Sequence, residues 1–179
     1  MRIVVIGTSG SGKTTLAVRI ATALEMPFIE LDGLHWGPNW SALSETDPDE
    51  FARRVRNAIA ADTWVCDGNY AMVRDLIWPR ATHVIWLDYS RAVVMSRVIK
   101  RSLARALDRK ELWAGNRESW RRMFRASHPI RFAWRTWHER RARFEYLLNH
   151  AQYRHLVVLR LRRPREAASI LDRLKPNAM

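Results

Sequence analysis

Residues 7–15 read GTSGSGKTT and directly follow the apolar run IVVI. Glycine has no Cβ, so three glycines in nine residues let something bulky and negatively charged approach the backbone itself. Gly7, Gly12, Lys13 and Thr14 meet the pattern G-x-x-x-x-G-K-[ST]. In a loop of that kind successive amides form an anion nest, the lysine reaches the outer phosphates of a nucleoside triphosphate, and the hydroxyl ligates Mg²⁺. Ser9, Gly10, Ser11 and Thr15 complete the predicted ATP cradle. The flanks agree, since RIVVIG reads as a buried strand and KTTLAVRIATAL sets Leu16, Ile20 and Leu24 at helical spacing. The alternative, a Gly/Ser-rich surface turn, does not call for this strand-loop-helix setting.

A phosphate loop needs an acid at the end of a neighbouring strand to hold the metal's hydration shell. Three apolar runs end in aspartate, at Asp32, Asp67 and Asp88. Asp67 is the chosen metal residue with Thr14, because VCDGN joins an apolar strand, an acid and a glycine that admits a ligand. Asp88 is the second candidate, and its reading as a strand-end or helix-capping residue is preferred. Asp32, at the tip of the second strand, would face a phosphate acceptor as anchor or general base, unless Asp-Gly there is only a turn. Arg97 and Arg101 lie four apart on one predicted helix, and Arg105 and Arg109 continue the face. Such a row can neutralise a transferring phosphoryl group, or it is a solvated basic face.

The elements that must position these residues alternate along the chain. Strands are predicted at RIVVIG, PFIELD, TWVCDG, THVIWLDY and HLVVLRL. Helices are predicted after the loop, over about Pro48–Ala61, near Tyr70–Trp78, over about Arg91–Leu107 and at PREAASILDRL. That alternation predicts an α/β fold with a parallel sheet covered on both faces. A basic helical insertion at about 105–150 separates the fourth and fifth strands. In it Ile130, Trp134, Trp137, Phe144 and Leu148 follow a helical stripe, read as core packing rather than base stacking.

At 179 residues one domain is expected over the whole chain. The net charge of +13 is one-sided: residues 1–90 hold 8 Lys/Arg against 11 Asp/Glu, and residues 91–179 hold 23 against 7. Such a field calls for a polyanionic partner, either nucleotide phosphates or a nucleic-acid backbone. The one cysteine, Cys66, sits in an apolar run and reads as structural. Neither a membrane-length apolar stretch nor a leader pattern is legible, so a cytoplasmic protein is expected. Oligomeric state is not legible.

The segments GTSGSGKTT, LDGLHWGPNW, WVCDGNY, VIWLDY with SRVIKR, and ELWAGNRESW resemble the adenylate-kinase-related P-loop proteins often labelled DNA topology modulation proteins. More distantly, they resemble nucleoside monophosphate kinases. The resemblance implies sheet order 2-3-1-4-5, a lid around 105–130, Arg97 and Arg101 as the arginine pair before the lid, and Arg163 with Pro164 at the adenine. The chain also departs from those kinases. After Asp67-Gly68 it has Asn69, Tyr70 and Ala71 where they carry an acceptor-clamping arginine, and His35, Trp36 and Trp40 stand near Asp32 in place of another. A pocket with these residues suits a hydroxyl-bearing small molecule better than a nucleotide monophosphate. The expected activity is therefore an ATP- and Mg²⁺-dependent phosphotransferase, with Lys13, Asp32, Arg97, Arg101 and Arg117 catalytic. The alternatives are a nucleotide-gated nucleic-acid-binding protein, whose affinity would fall steeply with salt, and an ATPase without a small-molecule acceptor.

Overall fold

Valine and isoleucine crowd the five apolar runs, and in the computed structural model, which describes residues 1–108, 113–116 and 129–174, each becomes a strand of one sheet. β1 (Arg2–Gly7) leads through the loop into α1 (Lys13–Ala23), followed by β2 (Phe28–Glu30), α2 (Leu31–His35), α3 (Leu43–Thr46) and α4 (Pro48–Ala58). β3 (Trp64–Asp67), α5 (Arg74–Ile77), β4 (His83–Leu87) and α6 (Arg91–Asp108) come next. The chain closes with α7 (Pro129–Asn149), β5 (Val157–Leu161), α8 (Pro164–Ala168) and α9 (Ile170–Leu174). All four strand pairings are parallel, and the order is β2-β3-β1-β4-β5. This is the P-loop kinase-like fold.

Both faces of the sheet are covered, which is why strands such as IVVI and VIWL are apolar without alternation. On one face Val4, Ile6, Cys66 and Trp86 pack with Phe51 and Val55 of α4 and with Phe144 of α7. On the other, Ile3, Val5, Val65 and Ile85 pack with Leu16 and Ile20 of α1 and with Val94 and Val98 of α6. β1 is central, and its register sets Val5 beside Asp67 and Gly7 beside Leu87. Loops at the carboxyl ends of β1 and β3 therefore meet where ligands bind in open parallel sheets.

Some boundaries differ from the sequence expectation. β2 stops at Glu30, and the LDGLH segment turns into α2, so Asp32 lies in a helical first turn rather than on a strand tip. The stretch after it, expected to be irregular, contains a 3-10 turn at Pro38–Trp40 and the single turn α3. Trp134 leaves the apolar stripe: it is 54% exposed, with the Arg91 guanidinium 3.4 Å over its ring, while Trp137 and Phe144 do pack inward. Among the described residues no helix is long and apolar enough to cross a membrane.

Asp88 has the structural role. Its carboxylate accepts from Arg141 at 2.9 Å and from Arg160 at 2.8 Å, tying α7 and β5 to the end of β4. The side chain is 3% exposed against 42% for Arg141 and 23% for Arg160. Removing the acid strands two partly solvated cations, at a cost below that of a fully buried pair. Asp88→Ala is expected to lower stability by about 2 kcal/mol in urea unfolding; an unchanged midpoint would contradict this role.

Candidate functional site

The phosphate loop is held open by its own packing. A Cβ on Gly7, at φ +154°, would come within 2.8 Å of Ser11 Oγ and 2.9 Å of the Leu87 carbonyl. At Gly10, φ +83°, it would strike Val98 of α6 at 2.7 Å. The glycine spacing thus serves the contact with α6 as much as the opening for a ligand. Gly12 adopts φ +94° and caps α1, whose first residue is Lys13. The loop lines a cavity of about 580 Å³ with Thr14, Thr15, Arg19, Asp32, Arg97 and Arg101 among its walls. That volume is within the range of small-molecule sites.

Thr14 and Asp67 are brought together: the threonine hydroxyl donates to Asp67 Oδ2. Asp67 is 4% exposed, and among the described residues its Oδ1 has no hydrogen-bond partner. Burial pushes its pKa up, against the pull of Lys13 and the Thr14 hydrogen bond. Burial likewise pushes Lys13 down, against the attraction of Asp67 and Asp32. The Lys13 ammonium reaches the Thr8 carbonyl at 3.4 Å. Ser11 Oγ is also buried without a partner. A cradle that any Cβ would crowd, an orphaned hydroxyl and a half-satisfied carboxylate fit a phosphate chain with a hard cation. Among the described residues no three His, Cys, Asp or Glu side chains cluster. Mg²⁺ needs only one or two carboxylates when phosphate oxygens and water complete its shell.

Both lid-side arginines face the loop. Arg97 Nη1 donates to the Ser11 carbonyl at 2.8 Å, and its guanidinium lies 5.2 Å from the Tyr89 ring. Arg101 Nη2 donates to Ser9 Oγ at 3.3 Å. Arg117 and Arg109 lie outside the described residues. Arg163 does not line the cavity: it is exposed as the N-cap of α8, and Pro164 and Ala167 of that helix form the wall.

On the acceptor side, Tyr70 donates its phenol to Asp32 Oδ1 at 2.5 Å, and Asp32 lines the cavity. Burial foremost, then the Asp32 charge, pushes the Tyr70 pKa up, so the phenol stays protonated as a donor. Asn69 turns back and donates to the Gly7 carbonyl at 3.2 Å. His35 does not line the cavity. It is 3% exposed, with its ring 4.6 Å from Trp36, 5.1 Å from Phe51 and 4.5 Å from Tyr70. Trp36 and Trp40 stack at 5.5 Å, and Trp40 meets Trp113 at 6.5 Å.

Trp113 and Asn116 are the site residues that sequence reasoning missed. Trp113 lines the cavity and donates Nε1 to Glu30 Oε2 at 2.8 Å. Asn116, 5% exposed, accepts from the Trp40 amide and donates to the Gly37 carbonyl, both at 2.8 Å. These bonds clip the insertion to the loop beyond α2, where Asn39 and Trp40 hold positive φ. The WAGN segment of ELWAGNRESW was the available signal, as a Gly-Asn turn with an indole next to it.

Sheet order, glycine loop and the Thr14–Asp67 pair define a P-loop α/β protein. The chain belongs to the ATPase family associated with various cellular activities (AAA), whose profile matches residues 3–111. No curated protein matches the sequence. Among solved structures, a gluconokinase from Sinorhizobium meliloti 1021 is similar at 21% identity and TM-score 0.53, covering 97% of this chain and 92% of its own. A shikimate kinase from Acinetobacter baumannii bound to shikimate has 15% identity and TM-score 0.57 over 97% and 92%. A deoxyadenosine kinase from M. mycoides has 13% identity and TM-score 0.56 over 97% and 98%. At these identities the likeness is one of fold.

His35 sets an acid limit on the acceptor wall. Burial, opposed by Asp32 and Glu45, holds its pKa below the ordinary 6.5. A depressed folded value means that stability is whole above pH 6.5 and is lost as pH falls toward the folded pKa, because the unfolded chain takes up the proton first. The unfolding midpoint is therefore expected to drop as pH falls through this window, and His35→Phe should flatten the slope. An equal slope in the variant would show that His35 titrates as it does unfolded.

Proposed function

We propose that the protein is an ATP- and Mg²⁺-dependent phosphotransferase acting on a hydroxyl-bearing small molecule. The observation that carries this reading is the shared cavity. Its lining includes the phosphate loop, Asp32, whose Oδ1 accepts from Tyr70, and Arg97 and Arg101 of α6. A site that only hydrolysed nucleotide has no need of a buried donor that fixes an acid beyond the phosphates. The structural neighbours named above are kinases, which supports the same reading, and the +13 charge fits a polyphosphate ligand.

In this reading the loop amides and Lys13 hold the β- and γ-phosphates, and Thr14 and Asp67 hold Mg²⁺, which neutralises phosphate charge when bound. Tyr70 occupies Asp32 Oδ1, so the other oxygen of that carboxylate can accept the acceptor's proton. The acceptor oxygen bonds to the γ-phosphorus as the bond to the bridging oxygen breaks and ADP leaves. Arg97 and Arg101 stabilise the charge of that transition state, and Trp113 covers the cavity wall, backed by Trp40. The lid at about 105–130 and the catalytic role of Arg117, both expected from the sequence, fall largely outside the described residues.

An ATPase without an acceptor is the second reading, and the AAA family match favours it. Incubation with γ-labelled ATP, Mg²⁺ and pools of nucleosides, nucleoside monophosphates and hydroxylated metabolites separates the two. The phosphotransferase is expected to yield a labelled organic product that falls at least about 10²-fold in Asp32→Asn. Label recovered only as inorganic phosphate in every pool would overturn the reading.

Asp67→Asn gives a second check through stability. The buried carboxylate has a raised pKa, so its ionised form weakens the fold as pH rises through that value. The amide is expected to raise the unfolding midpoint at neutral pH while abolishing Mg²⁺-dependent turnover. A variant that loses stability and keeps turnover would contradict the metal role.

A further inference from the structure

Helix α1 carries the phosphate-loop lysine as its first residue, and Thr15, Leu16 and Arg19 of the same helix also line the cavity. At 1.5 Å per residue, Arg19 stands roughly 9 Å along the helix from Lys13. Its Nη2 donates to the Ala167 carbonyl at 2.7 Å and to the Ala168 carbonyl at 2.6 Å. A helix leaves its last carbonyls without an intrahelical donor, and for α8 Arg19 supplies one. The other donors of the guanidinium, on Nε and Nη1, have no partner among the described residues, and no acid pairs with it there.

With five residues, α8 is too short to hold itself together, so its ties to other elements place it. Glu166 Oε2 accepts from the Arg162 amide at 2.7 Å, which fixes the corner between β5 and α8. Arg19 fastens the other end to α1. Pro164 and Ala167 of the helix so held line the cavity, as do Leu87 and Tyr89 at the carboxyl end of the adjacent β4. Arg163, expected at the adenine, is exposed and outside the cavity wall; the arginine that shares the wall with Pro164 is Arg19.

Sheet order sets this wall apart from the acceptor wall. β5, which leads into α8, and β2, which leads into α2 and Asp32, are the two edges of the sheet. Four strand spacings, roughly 19 Å, separate them. The phosphate loop leaves the central strand between the two. With the phosphates on the loop and the acceptor at Asp32, the wall that contains α8 is left for the rest of the nucleotide.

We propose that Arg19 is a nucleoside-contacting residue: Nη2 anchors it on α8, Nε and Nη1 donate to acceptor atoms of the nucleoside, and Pro164 and Ala167 supply the apolar surface beside it. The side on which the nucleoside lies rests on the phosphotransferase reading; the contact itself is measured without any acceptor.

The test titrates the full chain by calorimetry with MgATP and with magnesium tripolyphosphate, which has the phosphates and no nucleoside. The wild type is expected to bind MgATP more tightly. Arg19 is exposed, so its truncation leaves the core intact. Arg19→Met should weaken MgATP at least about tenfold and leave tripolyphosphate within about twofold. Arg19→Lys should fall between, because a point charge lacks the planar fork that serves carbonyls and ligand at once. The exposed Arg154→Gln, which removes one charge elsewhere, should change neither affinity. A residue that only held the fold would lower the unfolding midpoint and leave the ratio of the two affinities unchanged. Equal affinity for both ligands in the wild type, unchanged MgATP binding in Arg19→Met, or equal weakening of both ligands overturns the proposal. If the Met variant does not fold, Arg19→Lys decides, and a wild-type ratio there counts against Arg19. Failure of the wild type to bind either ligand overturns the proposal together with the phosphate-loop reading. MgATP binding that depends on Arg19, with no labelled product in any acceptor pool, upholds the contact and overturns the phosphotransferase.

Discussion

A carboxylate held almost dry at the end of a central strand, one hydroxyl away from the start of a helix, is the constraint on which the rest of the structure depends. Asp67 keeps Thr14 in place and draws the Lys13 ammonium, yet one of its oxygens stays unsatisfied. Such an arrangement is costly in a low-dielectric interior unless something positively charged completes it. The parallel sheet makes it possible by setting Asp67 beside Val5 in register, so that the acid and the phosphate loop emerge side by side. The Val98 contact at Gly10 then fixes where α6 crosses the loop, and Arg97 and Arg101 follow from that crossing.

Polarity is sorted in the same way across the second half of the chain. Most of its arginines lie on solvated faces, but those that turn inward divide by partner. Arg141 and Arg160 share Asp88 and fasten helix to strand, whereas Arg97 and Arg101 donate to backbone and hydroxyl oxygens of the loop. The aromatic residues sort likewise. His35, Phe51 and Tyr70 make a wall, and Trp113 and Asn116 bring the insertion against it. Tyr70 serves both sides of this wall, since it packs against the core and donates to Asp32.

The strands and the phosphate loop were legible in the sequence, because β-branched runs and a glycine pattern report strictly local physics, whereas the sheet order came from the resemblance to adenylate-kinase-related proteins. Asp67 could be chosen over Asp88 from the glycine that follows it, and the structure puts Asp88 between two arginines. Other features depend on contacts between distant segments. No local signal separates exposed Trp134 from buried Trp137, since both fit a helical stripe and only the packing of α7 on β4 decides. His35 read as a pocket residue beside Asp32 or, in the preferred reading of the residue alone, as a core or surface histidine, and it is buried among Trp36, Phe51 and Tyr70. Arg163 borders the cavity in sequence alone. Trp113 and Asn116 reach the site through tertiary packing.

The central claim is that the cavity couples nucleotide cleavage to an acceptor at Asp32. Its most direct measurement is the ratio of ADP formed to inorganic phosphate released when MgATP turns over with pooled small hydroxylated metabolites. Acceptor chemistry gives more ADP than phosphate, the deficit appearing as phosphorylated product. A ratio of one in every pool, unchanged by any addition, would mean that water is the acceptor and would contradict the account.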